Sequence, residues 1–483
     1  MRVSLFGGRS EVAPGAGAWA CLLLSLSTLI LLSSPARAQE PVTGILDPAT
    51  LRELPAGDAA HGAYSYDDYD SATLCGGCHV DIHQQWAKAM MSQAYTHAWD
   101  EIEYFKLAVP HAEMKEKVAG VKAGCNGCHA PVSFLAGDTP PPKPGSGSMA
   151  DEGVTCDVCH TVVGFKGEVP HNFNWISQPG DTKYGGREGL DSPAHTTAKN
   201  EFLQTPEFCG TCHNEMSPYG VWVKSTQLEY AAGPYAEEGV RCHDCHMPAA
   251  PGRVASMGAE VLDDMRQHLF HGAHVESKVR GAIELVMWTD ISEAVPGDAM
   301  TLSLALFNQK AGHKIPTGSA EDRQLWVTVE AVDADGQRYH LPVTRKGFEG
   351  EDQTITSNVL AYQDMGEPLD QPDFEGLPRD ATPYEGDRIF CLPYFDPQGR
   401  RTIQQWNTAS LGTDYRIGPR ETKIETYEWT VPDDIPLGDL RFEAVLNYRK
   451  LVASVGEFLE VPAEEYETFV MNKQSTSIQV VEW

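Results

Sequence analysis

Beyond its first 38 residues the chain has no apolar run approaching the roughly 20 residues a membrane-spanning helix requires, so no later stretch offers an anchor of that kind. It is short of positive charge: 37 Lys and Arg face 68 Asp and Glu, for a formal net charge of −31. A surface of that sign repels nucleic acid and anionic lipid, and it draws cationic partners by long-range steering that salt weakens. No fixed-period repeat runs through the sequence, which excludes a solenoid. Cysteine to spare is also missing. Of 12 cysteines, Cys21 sits in an N-terminal apolar run, Cys391 stands alone in Arg388-Ile-Phe-Cys-Leu392, and the other ten share one pattern. A disulfide framework does not use up cysteines in this way, and Cys391 reads as a buried apolar thiol.

The pattern is Cys-x-x-Cys-His, and it occurs five times: Cys75, Cys78 and His79; Cys125, Cys128 and His129; Cys156, Cys159 and His160; Cys209, Cys212 and His213; Cys242, Cys245 and His246. At this chain's Cys and His frequencies chance would supply roughly 0.01 such pentapeptides. The spacing is chemical. Two thiols three residues apart reach the two vinyl groups of one porphyrin, and the adjacent imidazole falls over the iron. Zinc ribbons do not require a His after every second Cys. The sequence therefore predicts five covalently attached haem c groups, with those ten cysteines as attachment points and those five histidines as proximal iron ligands.

Arg2 and Arg9, the apolar run Ala18 to Leu32 and the small-x-small site Ala36-Arg-Ala38 read as a signal peptide over residues 1–38. Export agrees with haem c, which is attached outside the cytoplasm. Removing that segment, with its three arginines and one glutamate, takes the formal net charge from −31 to −33.

Residues 39–278 carry every motif and little sustained periodicity, as expected where porphyrins make the core and the polypeptide wraps them. Short helices are expected around each motif. One is expected over Asp81 to Met91, with Ile82, Trp86 and Met90 on one side, and an exposed loop over Gly137 to Gly147. After residue 279 the texture changes to strand-like stretches at Ile283–Thr289, Thr301–Phe307, Leu325–Val332, Thr422–Val431 and Leu440–Tyr448, with turn signals between them. The expected architecture is a multidomain chain. A mainly helical or irregular haem-cored cytochrome domain precedes an antiparallel, immunoglobulin-like β-sandwich over 279–460, and a 461–483 tail holds a short helix in Ala463 to Met471 and a last strand.

Several segments resemble exported multihaem cytochromes of the cytochrome c-554 type. They are, in order, Cys75-Gly-Gly-Cys-His-x-x-Ile-His-Gln-Gln-Trp86, Cys125-Asn-Gly-Cys-His-Ala-Pro131, Glu152-Gly-Val-Thr-Cys-Asp-Val-Cys-His160, Ser192-Pro-Ala-His195, Glu207-Phe-Cys-Gly-Thr-Cys-His-Asn-Glu215 and Gly239-Val-Arg-Cys-His-Asp-Cys-His-Met-Pro248. Gly312-His-Lys-Ile-Pro-Thr-Gly318 and Leu446-Asn-Tyr-Arg449 resemble the β-domain that many such proteins carry. The resemblance implies distal iron ligands. His195 and His268 match family positions of that kind, with His271 and His274 as competitors for the second. His313 is expected to be donated from the β-domain. Where the family has a ligating His in a Trp-x-x-Ser-Met-His-Ser segment, this chain has Trp86-Ala-Lys-Ala-Met-Met91-Ser92. Met91 is thus a candidate thioether ligand that would raise one potential, with His97 or an open iron as alternatives. For the fifth iron His171 and His83 lead over His111 and His243, while His61 and His340 read as surface residues.

The implied role is electron transfer between redox partners, possible ones being cationic cytochromes or a membrane redox complex, in the periplasm or outside the cell. The alternative is an oxidoreductase acting on a small nitrogen or sulfur species at one open iron with nearby proton donors. A filament-forming role is a third reading. No Cys-x-x-Cys-Lys motif, the mark of the active haem in ammonia-forming nitrite reductases, is present.

Overall fold

A computed structural model of the chain describes residues 60–188, 190–256, 258–348, 351–352, 360–379 and 385–482. The expected leader, its cleavage site and Cys21 lie outside the described residues. The described residues form one compact unit.

Up to about residue 250 the chain is a run of short helices joined by loops and small two-stranded ribbons. Among the described residues the longest of these helices, Val121–His129, has nine residues. Helices this short are not stable alone, so caps and packing hold them. Ser71 accepts from Leu74 N ahead of Ala72–Gly76. Thr205 accepts from Phe208 N, with Pro206 opening Pro206–His213. Phe173 lies against Val121–His129 so closely that any side chain at Gly127 would collide with its ring. The expected helix over Asp81 to Met91 is broken into Val80–Trp86 and Met90–Gln93. Burial of Trp86, whose indole donates to Val154 O at 2.9 Å, sets the bend between them. Gly137 to Gly147 carries neither helix nor strand.

From residue 283 the chain is β-rich, and the five strand-like stretches are strands. Thr422–Thr430, Ala299–Asn308 and Ile283–Thr289 form a three-stranded antiparallel sheet. A six-stranded sheet runs Glu293–Ala294, Thr468–Val480, Gly438–Arg449, Gln324–Val332 and Arg338–His340, with Arg388–Ile389 also on Gln324–Val332. Period-two burial aims Leu302, Leu304 and Leu306 of one sheet and Leu325, Val327, Phe442 and Leu446 of the other into a shared apolar core. Both sheets are small and do not close, so the expectation of an immunoglobulin-like sandwich narrows to a β-rich C-terminal part. In the tail, a single 3-10 turn, Ala463–Glu465, replaces the expected helix. The ladder on Gly438–Arg449 already begins at Thr468, opposite Arg449, and that pairing overrides local preference.

The change of texture near residue 279 does not divide the packing. Tyr95, Trp99, Tyr104 and Leu107 share one buried cluster with Tyr362, Met365, Trp406 and Val455. Arg416, 4% exposed, donates to Glu229 at 2.7 Å from across the same line.

Candidate haem-ligating sites

Four of the five motifs lie at or within a helical turn that carries the pair of cysteines on one side, three residues apart. The first motif differs from the expected helix around each motif. Its helix, Ala72–Gly76, holds Cys75 but stops short of Cys78. Cys78 falls in the turn after Gly77 because its carbonyl is claimed from outside the helix, by Ser256 N at 2.8 Å and Ser256 Oγ at 3.0 Å. A bond from Cys78 N to Cys75 O at 3.2 Å still keeps the two cysteines one turn apart.

The turns also bring thiols of different motifs together. Cys75 contacts Cys156, Cys128 contacts Cys212 and Cys209 contacts Cys242. Motif one therefore abuts motif three, and motif four abuts both two and five. Cys159 lies within electrostatic reach of Cys209 and Cys212, which links motif three to four. Cys78 and Cys245 take no part in these three contacts. Motifs one and five each meet their neighbour through the first cysteine, Cys75 or Cys242, and the second cysteine lies one turn further along. Cys245, half-buried like Cys78, stays within Cys242–His246, where its carbonyl accepts from Lys278 Nζ.

Backbone carbonyls orient the histidines. Nδ1 of His79 meets Val254 O. His129 meets Ala94 O at 2.8 Å, His160 meets Tyr184 O at 2.6 Å and His246 meets His271 O at 2.7 Å. The same bond recurs in four histidines outside the motifs: His195 to Thr196 O at 3.1 Å, His268 to Arg266 O at 3.0 Å, His313 to Lys314 O at 2.9 Å and His171 to Val169 O at 2.9 Å. A proton held on Nδ1 leaves Nε2 with its lone pair free for a metal. Burial pushes His246 and His268 down to about 4 and lowers His160.

Three of the non-motif rings oppose a motif ring. His195 stands 6.2 Å from His79, His268 6.3 Å from His160 and His313 6.4 Å from His246, centroid to centroid, with interplanar angles of 30°, 24° and 19°. Among the described residues no histidine ring opposes His129 or His213 in this way. His171 packs edge-on against Trp222 at 5.3 Å. Met91 is half-buried on Met90–Gln93, and its carbonyl accepts from Val154 N at 2.8 Å. His111 is fully buried, its Nδ1 bonded to Gln404 and Trp406 and its Nε2 3.9 Å from Glu367. His340 is not a free surface residue, since its Nε2 lies 2.8 Å from the buried Asp387.

The His313 turn is built from both parts of the chain. Glu229 accepts from Lys314 N at 3.2 Å and Thr317 Oγ1 at 2.8 Å, while Arg416 holds its other oxygen. Asn308 Nδ2 donates to His313 O at 3.1 Å.

Sequence reading missed a buried ionisable group near the second and fourth motifs. Burial, and then Asp322, raise Glu103 well above the usual carboxylate range. Burial also raises Asp322 to about 7, against the pull of Arg323 and Lys224. Lys224 pairs with Glu215 at 2.7 Å. Burial opposes its charge, but Glu215 and Glu103 outweigh that and raise its pKa. Glu103, Glu215 and Lys224 all act on Cys125. No local motif marks these residues. A second group joins His97, Asp100, His274 and Glu465 behind His129.

Residues 74–161 match the family model for cytochrome c554 and c-prime, and residues 189–286 match the N-terminal region of the NapC/NirT cytochrome c family. No curated protein matches the chain. Its fold matches a crystal structure of a penta-heme cytochrome c552 from Thermochromatium tepidum, at 21% identity and a TM-score of 0.58, over 85% of this chain and 99% of that one. A Pseudomonas fluorescens alkylpurine DNA glycosylase (7% identity, TM-score 0.15, 42% of this chain and 32% of that one) and a Clostridium perfringens family 123 glycoside hydrolase (6%, 0.18, 42% and 28%) carry no argument. The motifs, the two family matches and the shared fold define a multihaem c-type cytochrome, a class that transfers electrons. Among the described residues no helix is long and apolar enough to cross a membrane.

Proposed function

We propose that this chain is an exported pentahaem electron carrier, periplasmic by first reading and extracellular or at the cell surface by second, that passes electrons between redox partners. All ten motif cysteines are its attachment points, including Cys78 and Cys245, which stand outside the thiol contacts between motifs. The opposed histidine pairs carry the proposal. Two imidazoles bonded to one metal at about 2.0–2.1 Å each, with about 1.1 Å from nitrogen to ring centre, put their centroids about 6.3 Å apart. That matches the three separations of 6.2, 6.3 and 6.4 Å. On this reading His195, His268 and His313 are the distal ligands of the first, third and fifth haems, and an iron with two fixed imidazoles exchanges electrons without binding substrate. His171, with its Nδ1 tied to a carbonyl and its Nε2 free, and Met91 are the candidates for the second and fourth. The neighbouring thiols support a path from motif one through three and four to five, with two joining at four, because electron tunnelling falls steeply with the gap between porphyrin edges. The net charge of −31 suits cationic partners.

The test is electron paramagnetic resonance of the oxidised protein. His195→Ala, His268→Ala and His313→Ala should each turn one low-spin haem high-spin. Unchanged spectra in folded, fully loaded variants would overturn the assignment.

A second reading, an oxidoreductase acting on a small nitrogen or sulfur species, is favoured by one observation. His129 and His213 have no opposed histidine among the described residues, and Glu103, Lys224 and Asp322 offer buried proton donors near the second motif. Cyanide or nitrite binding to one ferric haem of the wild-type protein would support it, and five low-spin haems would exclude it.

A further inference from the structure

We infer that His97, His274 and Glu465 form a site for one divalent transition metal, Zn²⁺ by its donor set, built behind the second haem motif. Two imidazoles and a carboxylate are a three-ligand zinc set with a fourth position open. Their ligand atoms all lie within 4.8 Å of one another. A tetrahedral zinc with bonds of about 2.0–2.2 Å holds its ligands about 3.3–3.5 Å apart, so side-chain adjustment is enough to close the site.

Three further observations point to an ion. His97 is 8% exposed, and its Nε2 lies 2.9 Å from Glu465 Oε2. The other nitrogen of His97 bonds Asp100 Oδ2 at 2.7 Å, the carboxylate–imidazole pairing that orients a metal-bound histidine. Finally, the rings of His97 and His274 stand 5.0 Å apart, too close to bracket a porphyrin as the three opposed pairs would.

Lys450 Nζ, 3.0 Å from the same Glu465 oxygen, takes one lone pair and leaves the other. The rival occupant is a proton, with His97 as an imidazolium between the carboxylates of Asp100 and Glu465. Stoichiometric zinc uptake separates the two. Glu465 lies in the C-terminal 3-10 turn, His274 follows the last haem motif and His97 precedes the helix Ala98–Ile102, so one ion would tie together three stretches far apart in sequence. Asp100 Oδ1 is 3.4 Å from His129 Nδ1. The same carboxylate thus touches a proximal haem ligand, and metal on His97 would shift that haem's potential. This coupling, unlike the site itself, rests on the haem reading above.

The experiment strips haem-loaded protein with a chelator, titrates it with Zn²⁺ by calorimetry and counts zinc and iron by elemental analysis. We expect one Zn²⁺ per chain, at least tenfold weaker binding in His274→Gln and Glu465→Gln, and a loss of about 10–100-fold in Asp100→Asn. Zn²⁺ should also move one haem midpoint potential in the wild type and none in His274→Gln. Lack of stoichiometric uptake, or wild-type affinity in both His274→Gln and Glu465→Gln, would overturn the site. A low-spin haem turned high-spin by His274→Gln would do so as well, by making His274 an iron ligand. Uptake without a potential shift would overturn the coupling alone.

Discussion

Removing the Glu229 carboxylate should loosen the His313 turn without touching a ligand. Glu229 is buried, and its two oxygens take Arg416 at 2.7 Å, Thr317 at 2.8 Å and Lys314 N at 3.2 Å. Its charge belongs there: burial opposes it, but Arg416 and then His313 outweigh burial and lower its pKa. Breaking a buried ion pair from one side costs about 3–5 kcal/mol. Arg416 keeps Asp414 at 2.8 Å in Glu229→Ala, which places the loss near about 3 kcal/mol, at the lower end of that range. If the loss falls on the turn, the equilibrium between His313 bound and His313 released shifts by about a hundredfold. A ligand that competes with His313 then gains the same factor. Cyanide binding to the ferric protein, followed by visible absorption and resonance spectra, reads it directly. We expect apparent cyanide affinity at one haem to rise about a hundredfold, as about 3 kcal/mol implies, with the other haems unchanged. Cyanide affinity within about threefold of wild type, in a variant that has nevertheless lost stability, would show that His313 does not occupy an iron.

Mass spectrometry of the mature protein should find five covalent haems, and four or fewer on correctly processed chains would contradict the motif reading. If Met91 is an axial ligand, the oxidised protein should show the weak long-wavelength band of thioether ligation and one haem titrating above the rest, and Met91→His should remove both. Absence of the band, together with unchanged potentials in Met91→Leu, would assign Met91 to packing. Asp322 is raised by burial from 3.8 to about 7, so between those values the folded chain holds a proton the unfolded chain has lost. Stability should therefore fall as pH rises from about 4 to 7, and Asp322→Asn should flatten that part of a denaturation profile. An unchanged slope would place the titration elsewhere.

Much of the chemistry is legible in the residues alone. Attachment chemistry is local: two thiols and an imidazole must lie within five residues to serve one porphyrin, so the proposed cysteines and proximal histidines come from the five motifs without a fold. The strands from Ile283 to Tyr448 are legible for a similar reason, since period-two burial is written along most of them, while Gln324–Val332 is a mostly β-branched and apolar run buried on both faces. Less could be read where pairing competes with propensity. Ala463 to Met471 contains helix formers, yet the ladder opposite Arg449 claims the chain from Thr468. Cys78 drops out of its helix for a like reason, since Ser256, far along the chain, takes its carbonyl.

What only the tertiary structure decided is which distant groups meet. His313 follows the last motif cysteine, Cys245, by 68 residues in sequence, yet its ring stands 6.4 Å from His246 because Glu229 and Arg416 bury an ion pair between the haem-bearing and β-rich parts. Contact between thiols of motifs one and three, the pooling of Glu103, Lys224 and Asp322, and the meeting of His97, His274 and Glu465 have no local signature either. Short-range covalent reach sets the haem attachment, and it is fixed by sequence spacing. Ligand pairing, proton inventory and metal donors depend on burial and through-space distance, which only the closed chain defines.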